Sequence, residues 1–132
     1  VDYIFHAAAL PRIQPSFDRP EEHDVANVQN TLKVLNAAKS NNVKKIIYSG
    51  SSSVYGNPSE IPTSENAKAN PLNPYSLQKY TAEQYGLLLG KKWDIPFLSL
   101  RYFNPYGERS FNNKNPLNAY SSVIGIFQNT QN

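Results

Sequence analysis

The spacing of apolar and polar positions along the chain switches repeatedly between two periods. "VDYIFHAAA" (1–9) opens as an apolar run and passes into three small residues, the pattern of a short strand ending in a turn. "LPRIQPSFDRP" (10–20) holds three prolines in eleven residues and reads as loop. From 21 to about 39, Val25, Val28, Leu32 and Leu35 recur at i, i+3, i+7 and i+10, which is one face of a helix. Pro20, Glu21 and Glu22 suit its first turn, and Asn41 and Asn42 its end. "KKIIYSG" is a second strand, followed by a loop rich in Pro, Ser and Asn through Pro74. "NPYSLQKYTAEQYGLLLGKK" predicts a helix, with Asn73 as cap, Pro74 at the first helical position and Lys91 and Lys92 near the negative end. "IPFLSLR" gives a third strand, and a polar loop (104–118) leads to a last helical stretch, "AYSSVIGIF".

Strands near 1–6, 45–50 and 96–101 alternating with helices predict an α/β domain whose strands are neighbours in one parallel sheet. Ligands of such sheets sit beyond the carboxyl ends of the strands. The second strand ends in the hydroxyl cluster Ser49, Ser51, Ser52 and Ser53, which puts those side chains where a ligand would be.

Composition narrows the chemistry by exclusion. The net charge is +3 and the basic residues are scattered, with Lys44/Lys45 and Lys91/Lys92 the only doublets, so nucleic acid is not an expected partner. The absence of Cys excludes thiolate metal sites and disulfides and is consistent with a reducing compartment. Two isolated histidines, His6 and His23, do not make a metal site. No signal peptide or apolar run of membrane-spanning length is visible. Both ends of the chain look cut: it starts directly on strand character without Met and stops directly after a helical pattern.

Tyr75 and Lys79 stand four apart on the second predicted helix and so share a face. A free tyrosine, with its pKa near 10, is a poor base at neutral pH, but a nearby ammonium favours the phenolate. That arrangement makes a proton shuttle. Ser51, at the end of the preceding strand, could converge with Tyr75 on one substrate oxygen. The spacing alone leaves a plain helix-surface pair open. By the same measure Asn27 is a surface helix residue, His6 a hydrogen-bonded structural histidine, and Tyr80 and Tyr85 are helix packing.

The ordered set "HAAA", "NVQNTLKVLNAAK", "IIYSGSSSVYG", "NPYSLQKYTAEQ" and "LRYFNPYG" resembles the extended short-chain dehydrogenase/reductase superfamily, and within it the NAD-dependent nucleotide-sugar epimerases of the UDP-glucose 4-epimerase type. The resemblance covers almost the whole chain. It implies a partial Rossmann-like, doubly wound parallel sheet, with residues 1–103 as the later part of an NAD-binding domain and 104–132 as the start of a substrate region. Tyr75 would be the acid/base, Lys79 its partner and a ligand of the nicotinamide ribose, and Ser51 the hydroxyl bonding the reacting sugar oxygen. Ala7, Ala8, Ala9, Asn27 and Ser49 would line the cofactor, together with the backbone of Tyr102 and Phe103. Ser52, Ser53 and Asn104 would meet the substrate. A nucleotide-sugar substrate, a homodimer of the full-length protein and a cytoplasmic location are implied as well, with no metal and no membrane.

The resemblance also has gaps. The six glycines, Gly50, Gly56, Gly86, Gly90, Gly107 and Gly125, do not form the glycine-rich loop that wraps a dinucleotide pyrophosphate. The chain therefore matches the middle of such an enzyme, and residues 1–132 alone are expected to bind NAD very weakly and not to turn over. Asn30 stands where the family often has Gly, Gly50 interrupts what is often a serine run, and Pro11 replaces a basic residue. Relatives that dehydrate or decarboxylate nucleotide sugars typically carry an acid just before "VYG", where this chain has Ser52 and Ser53. The serines favour C4 epimerisation over dehydratase or decarboxylase chemistry, and a reductase of the same superfamily is a further alternative. A non-catalytic NAD or nucleotide-sugar binding module is the alternative of a different class.

Overall fold

Residues 1–106 are described by a computed structural model, in which three strands form one sheet in chain order. They are β1 (Tyr3–His6), β2 (Lys45–Ser51) and β3 (Phe97–Tyr102). β1 runs parallel to β2, with Tyr3 opposite Lys45 and His6 opposite Tyr48. The Ile46 N–H donates to the Pro96 carbonyl, and Gly50 lies against Leu100. Those two contacts keep one sequence offset along the strands, so β3 is parallel as well. The expected parallel α/β sheet is what forms. Val1–Arg101 make up one unit and a second begins at Tyr102; residues 102–106 are described and exposed, and the helix expected over 119–127 lies outside the described residues.

The helices differ from expectation in two places. The proline-rich stretch read as loop contains α1 (Ile13–Asp18), and Pro20 opens α2 (Pro20–Asp24). Pro15 is the third residue of α1, within the first turn, where a missing N–H breaks no helical bond. The single helix expected from 21 to 39 is split by a π-helical turn at Val25–Gln29 before α3 (Asn30–Ser40). A π turn holds more residues than an α turn, so it rotates the inward face. Val25 swings out to solvent, while Asn27, Val28, Thr31, Leu35 and Ala38 turn in. Asn27, a surface residue on simple spacing, is buried.

β2 passes into a 3₁₀ turn at Ser52–Tyr55, and then α4 (Pro74–Trp93) begins. The α4 start is as its sequence predicts. Asn73 Oδ1 accepts from the Ser76 N–H at 2.9 Å, Ser76 Oγ accepts from the Asn73 N–H, and Pro74 occupies the first position. Tyr80 is half-buried, but Tyr85 faces solvent and does not pack as expected.

α3 and α4 meet over one face of the sheet. Leu35, Ala38, Val43, Ile46 and Ile95 form the core, with Leu32, Leu89, Trp93, Phe97 and Ile4 packed around it. Burying a side chain such as Leu35 or Ile46 contributes roughly 1.5–3 kcal/mol. On the other face Tyr3, Leu98 and Phe5 are exposed, Phe5 at 77%. α4 lies close on β3 because Gly86 faces Phe97 there: a methyl group at Gly86 would overlap the Phe97 ring. Gly86→Ala is therefore expected to destabilise by roughly 1–3 kcal/mol despite the better helix propensity of Ala. Urea unfolding of Gly86→Ala alone and combined with Phe97→Leu measures this; the second change should restore much of the loss.

Candidate active site

The face of α4 that meets the sheet carries Tyr75, Lys79 and Glu83 at steps of four residues. Its phase is pinned at the start by a contact distant in sequence. Ser16 of α1, fully buried, donates to the Ile13 carbonyl at 2.6 Å and accepts from the Tyr75 N–H at 3.0 Å. Tyr75 is half-buried at the opening of the helix and Lys79 is 3% exposed one turn further on.

The Lys79 ammonium lies 4.3 Å from the centre of the Tyr48 ring. A cation over an aromatic face is held by the ring quadrupole, and more strongly when desolvated. Burial pulls Lys79 down to about 8, against an opposing pull from Glu83. Tyr48 is pushed the other way, upward, first by burial and then by Tyr75 and Glu83, so its ring stays neutral. Its hydroxyl is buried without a hydrogen-bond partner among the described residues.

His6 ends β1 beside Tyr48, their ring centres 5.6 Å apart. The Thr31 hydroxyl donates to the Asn27 carbonyl at 2.8 Å, so in the 2.9 Å contact between His6 Nε2 and Thr31 Oγ1 the imidazole is the donor. Burial, then Lys79, lower the His6 pKa and keep the ring neutral. This is the structural histidine expected.

The turn after β1 presents Ala7 and Ala8 to solvent and Ala9 half-buried. Asn27 holds that turn. Its Oδ1 accepts from the Leu10 N–H at 2.8 Å, and its Nδ2 donates to the Leu10 carbonyl at 3.0 Å and to Gln78 Oε1 at 3.2 Å. The amide is thereby saturated as a donor, and it ties the turn to α4. Ser49, Ser51, Ser52 and Ser53 are half-buried at the carboxyl end of β2, with Ser51 Oγ and Ser53 Oγ 2.8 Å apart. Of the residues singled out from sequence, Ala7, Ala8, Ala9, Asn27, Ser49, Ser51, Ser52, Ser53, Tyr75 and Lys79 belong to the first unit, and Tyr102, Phe103 and Asn104 to the second, where all three are exposed.

Sequence reasoning missed the side chains that support this set. Glu83 could have been found as the next four-residue step after Lys79. Tyr48 could have been found as the inward position of β2, in phase with Ile46. Ser16 carried no local signal. Among the described residues no helix is long and apolar enough to cross a membrane.

A sequence model of the NAD dependent epimerase/dehydratase family matches residues 1–131. The chain is 36% identical over 128 residues to a putative UDP-glucose 4-epimerase of Methanocaldococcus jannaschii, covering 96% of this chain and 40% of that protein. It superposes with a TM-score of 0.84, at 36% identity, on the UDP-N-acetylglucosamine 4-epimerase of Methanobrevibacter ruminantium M1 in complex with UDP-N-acetylmuramic acid, over 94% of this chain and 39% of that one. With the UDP-glucose 4-epimerase of Brucella ovis in complex with NAD the TM-score is 0.79 at 30% identity, over 83% and 34%. The chain thus spans about 40% of the length of the M. jannaschii relative and less of the Brucella one.

A buried cation makes a stability prediction with a definite sign. Below pH about 8 Lys79 is charged in both folded and unfolded states and its burial is opposed in full. Between about 8 and its ordinary 10.5 the unfolded chain holds more protons, so stability rises with pH, and above that range the penalty is gone. Lys79→Met should therefore be more stable than the parent at pH 7, on the order of 3 kcal/mol, with the gain shrinking toward pH 10.5. Chemical unfolding at pH 7 and pH 10 checks it; a gain that does not change with pH would contradict a buried charged lysine.

Proposed function

The chain belongs to the NAD dependent epimerase/dehydratase family, and on that footing we propose that it supplies the catalytic part of an NAD-dependent nucleotide-sugar epimerase, inverting C4 of a UDP-hexose through a transient keto-sugar. One observation carries the reading: Tyr75 and the buried Lys79 share the sheet-facing side of α4, level with the last residue of β1. The names of similar proteins, 4-epimerases of UDP-glucose and UDP-N-acetylglucosamine, support the carbon and the nucleotide. Ser52 and Ser53, where an acid would serve elimination, weigh against the dehydratase and decarboxylase alternatives.

The residues present fit the nicotinamide half of the cofactor. Beyond β1 the exposed Ala7 and Ala8 leave the backbone open to a flat ligand, and the hydroxyl of Ser49 lies at the neighbouring strand end. Ala7, Ala8, Ala9, Asn27 and Ser49 would line it, and Lys79 would bond the ribose. When bound, NAD supplies a hydride acceptor and donor, so the sugar undergoes no net oxidation. Tyr75 takes the proton of the sugar hydroxyl at its phenol oxygen and returns it after the keto-sugar turns over. Lys79 stabilises the phenolate that Tyr75 must be before it takes this proton and becomes again when it returns it. Ser51 donates to the same sugar oxygen, and Ser52 and Ser53 shape the adjoining loop.

From the second unit the proposal takes the backbone of Tyr102 and Phe103 as cofactor contacts, the Asn104 side chain as a substrate contact, and 104–132 as the start of a substrate region after a cofactor domain ending at 103. It includes a homodimer and a cytoplasmic setting.

In the full-length protein, Tyr75→Phe removes the proton shuttle and keeps the ring. kcat for the interconversion of UDP-glucose and UDP-galactose should fall by roughly 10²- to 10⁴-fold with the melting temperature unchanged, and Ser51→Ala should lose less. Near-parental turnover by Tyr75→Phe, with a lowered melting temperature, would make the pair structural.

A further inference from the structure

Glu83 is 2% exposed, yet it is a carboxylate with three donors aimed at it. Ser99 Oγ donates to Oε2 at 2.7 Å and Arg101 Nε to the same atom at 3.0 Å, while Arg101 Nη2 donates to Oε1. Paired N–H donors from one guanidinium fix the plane of the carboxylate, not only its distance. Arg101 is held in turn over the ring of Tyr55, 4.8 Å from its centre. From the "VYG" turn to β2, side chains of alternating character therefore line up across the sheet face: the Tyr55 ring, the Arg101 cation, the Glu83 anion, the Lys79 cation and the Tyr48 ring. Gly50 belongs to this row by what it leaves out. A Cβ there would stand 2.6 Å from Ser99 Oγ, in the space the Ser99 to Glu83 bond uses. The glycine that interrupts the serine run is thus accounted for by the seat of Glu83.

Taking Lys79 as the cation that serves Tyr75, and so resting on the function proposed above, we propose that Glu83 is a positioning residue that keeps the Lys79 ammonium charged in its buried seat, with Arg101 and Ser99 clamping the carboxylate where it does so. The titratable groups around Lys79 are His6 from β1, Tyr48 from β2, Tyr75 and Glu83 from α4 and, one bond further, Arg101 from β3. His6 is neutral and Tyr48 offers only its ring, so the negative charge that opposes desolvation of the ammonium is that of Glu83. Arg101 leaves the carboxylate ionic while preventing it from swinging onto Lys79 as a direct ion pair. The ammonium stays available to Tyr75.

The test reads Lys79 directly. The ¹³Cε shift of Lys79 is followed against pH in the full-length protein labelled at lysine Cε, without substrate and without added NAD, with Lys79→Arg assigning the signal. The parental midpoint is expected at about 8, and Glu83→Gln should lower it by roughly 1–3 pH units, the effect of losing a nearby opposite charge. Glu83→Gln strands Arg101 without its counter-ion and can unfold the protein, so Glu83→Gln/Arg101→Met is measured beside it. That pair removes the stranded Arg101 cation together with the carboxylate, and its Lys79 midpoint should still fall. A folded double variant whose Lys79 titrates at the parental midpoint would overturn the proposal, as would a rise in either variant. Because the readout needs no turnover, a parental protein that fails to epimerise any UDP-hexose while its Lys79 still responds to Glu83 would sink the functional reading and support the role of Glu83.

Discussion

Keeping one ammonium out of water is the constraint around which the described part of the molecule is arranged. Lys79 can be buried only if α4 presents it to the sheet at the right height and phase, and if something there compensates for lost hydration. The height comes from the near approach of α4 to β3 that Gly86 permits. The phase comes from the cap at Asn73 and Ser76 and from the Ser16 hydroxyl on the Tyr75 N–H. Compensation comes from the Tyr48 ring beneath the ammonium and the Glu83 carboxylate one turn along.

The turn after β1 is built by the same economy of partners. Asn27 reaches it only because a π turn rotates α3 relative to α2, and once there it satisfies both polar backbone groups of Leu10 while bonding Gln78. A simple α-helix through 25–29 would have left Asn27 in solvent and the turn without that clamp. π turns are frequent at functional sites for this reason: one extra residue re-aims a side chain without ending the helix. The site is thus held from two sides, with α4 under the proposed shuttle and Asn27 behind the proposed cofactor turn.

Much of this was legible in the chain. Alternating periods gave the strand and helix order, and the sequence around Asn73 and Pro74 carried its own cap. The four-residue step from Tyr75 to Lys79 put both on one face. What could not be read was tertiary. Three prolines within 10–20 read as loop, since nothing local says that Pro15 falls inside a first turn. The π turn shifts the inward stripe by a fraction of a turn that periodicity does not register, so spacing alone places Val25 inward and Asn27 outward. Arg101 becomes the partner of Glu83 only through the packing of α4 on β3, and Ser16 meets Tyr75 across 59 positions of sequence. Tyr85 looked like packing because aromatic residues usually are, but its position on α4 faces away from the sheet.

In the proposed reaction Tyr75, supported by Lys79, handles a proton on oxygen and never one on carbon. Epimerisation of a UDP-hexose by the full-length protein in D₂O, followed by proton NMR of the inverted centre, tests this most directly. The hydrogen on C4 should be retained in the product while the hydroxyls exchange. Deuterium appearing at C4 would mean that a side chain deprotonates the carbon itself, and the proposed role of Tyr75 would fall.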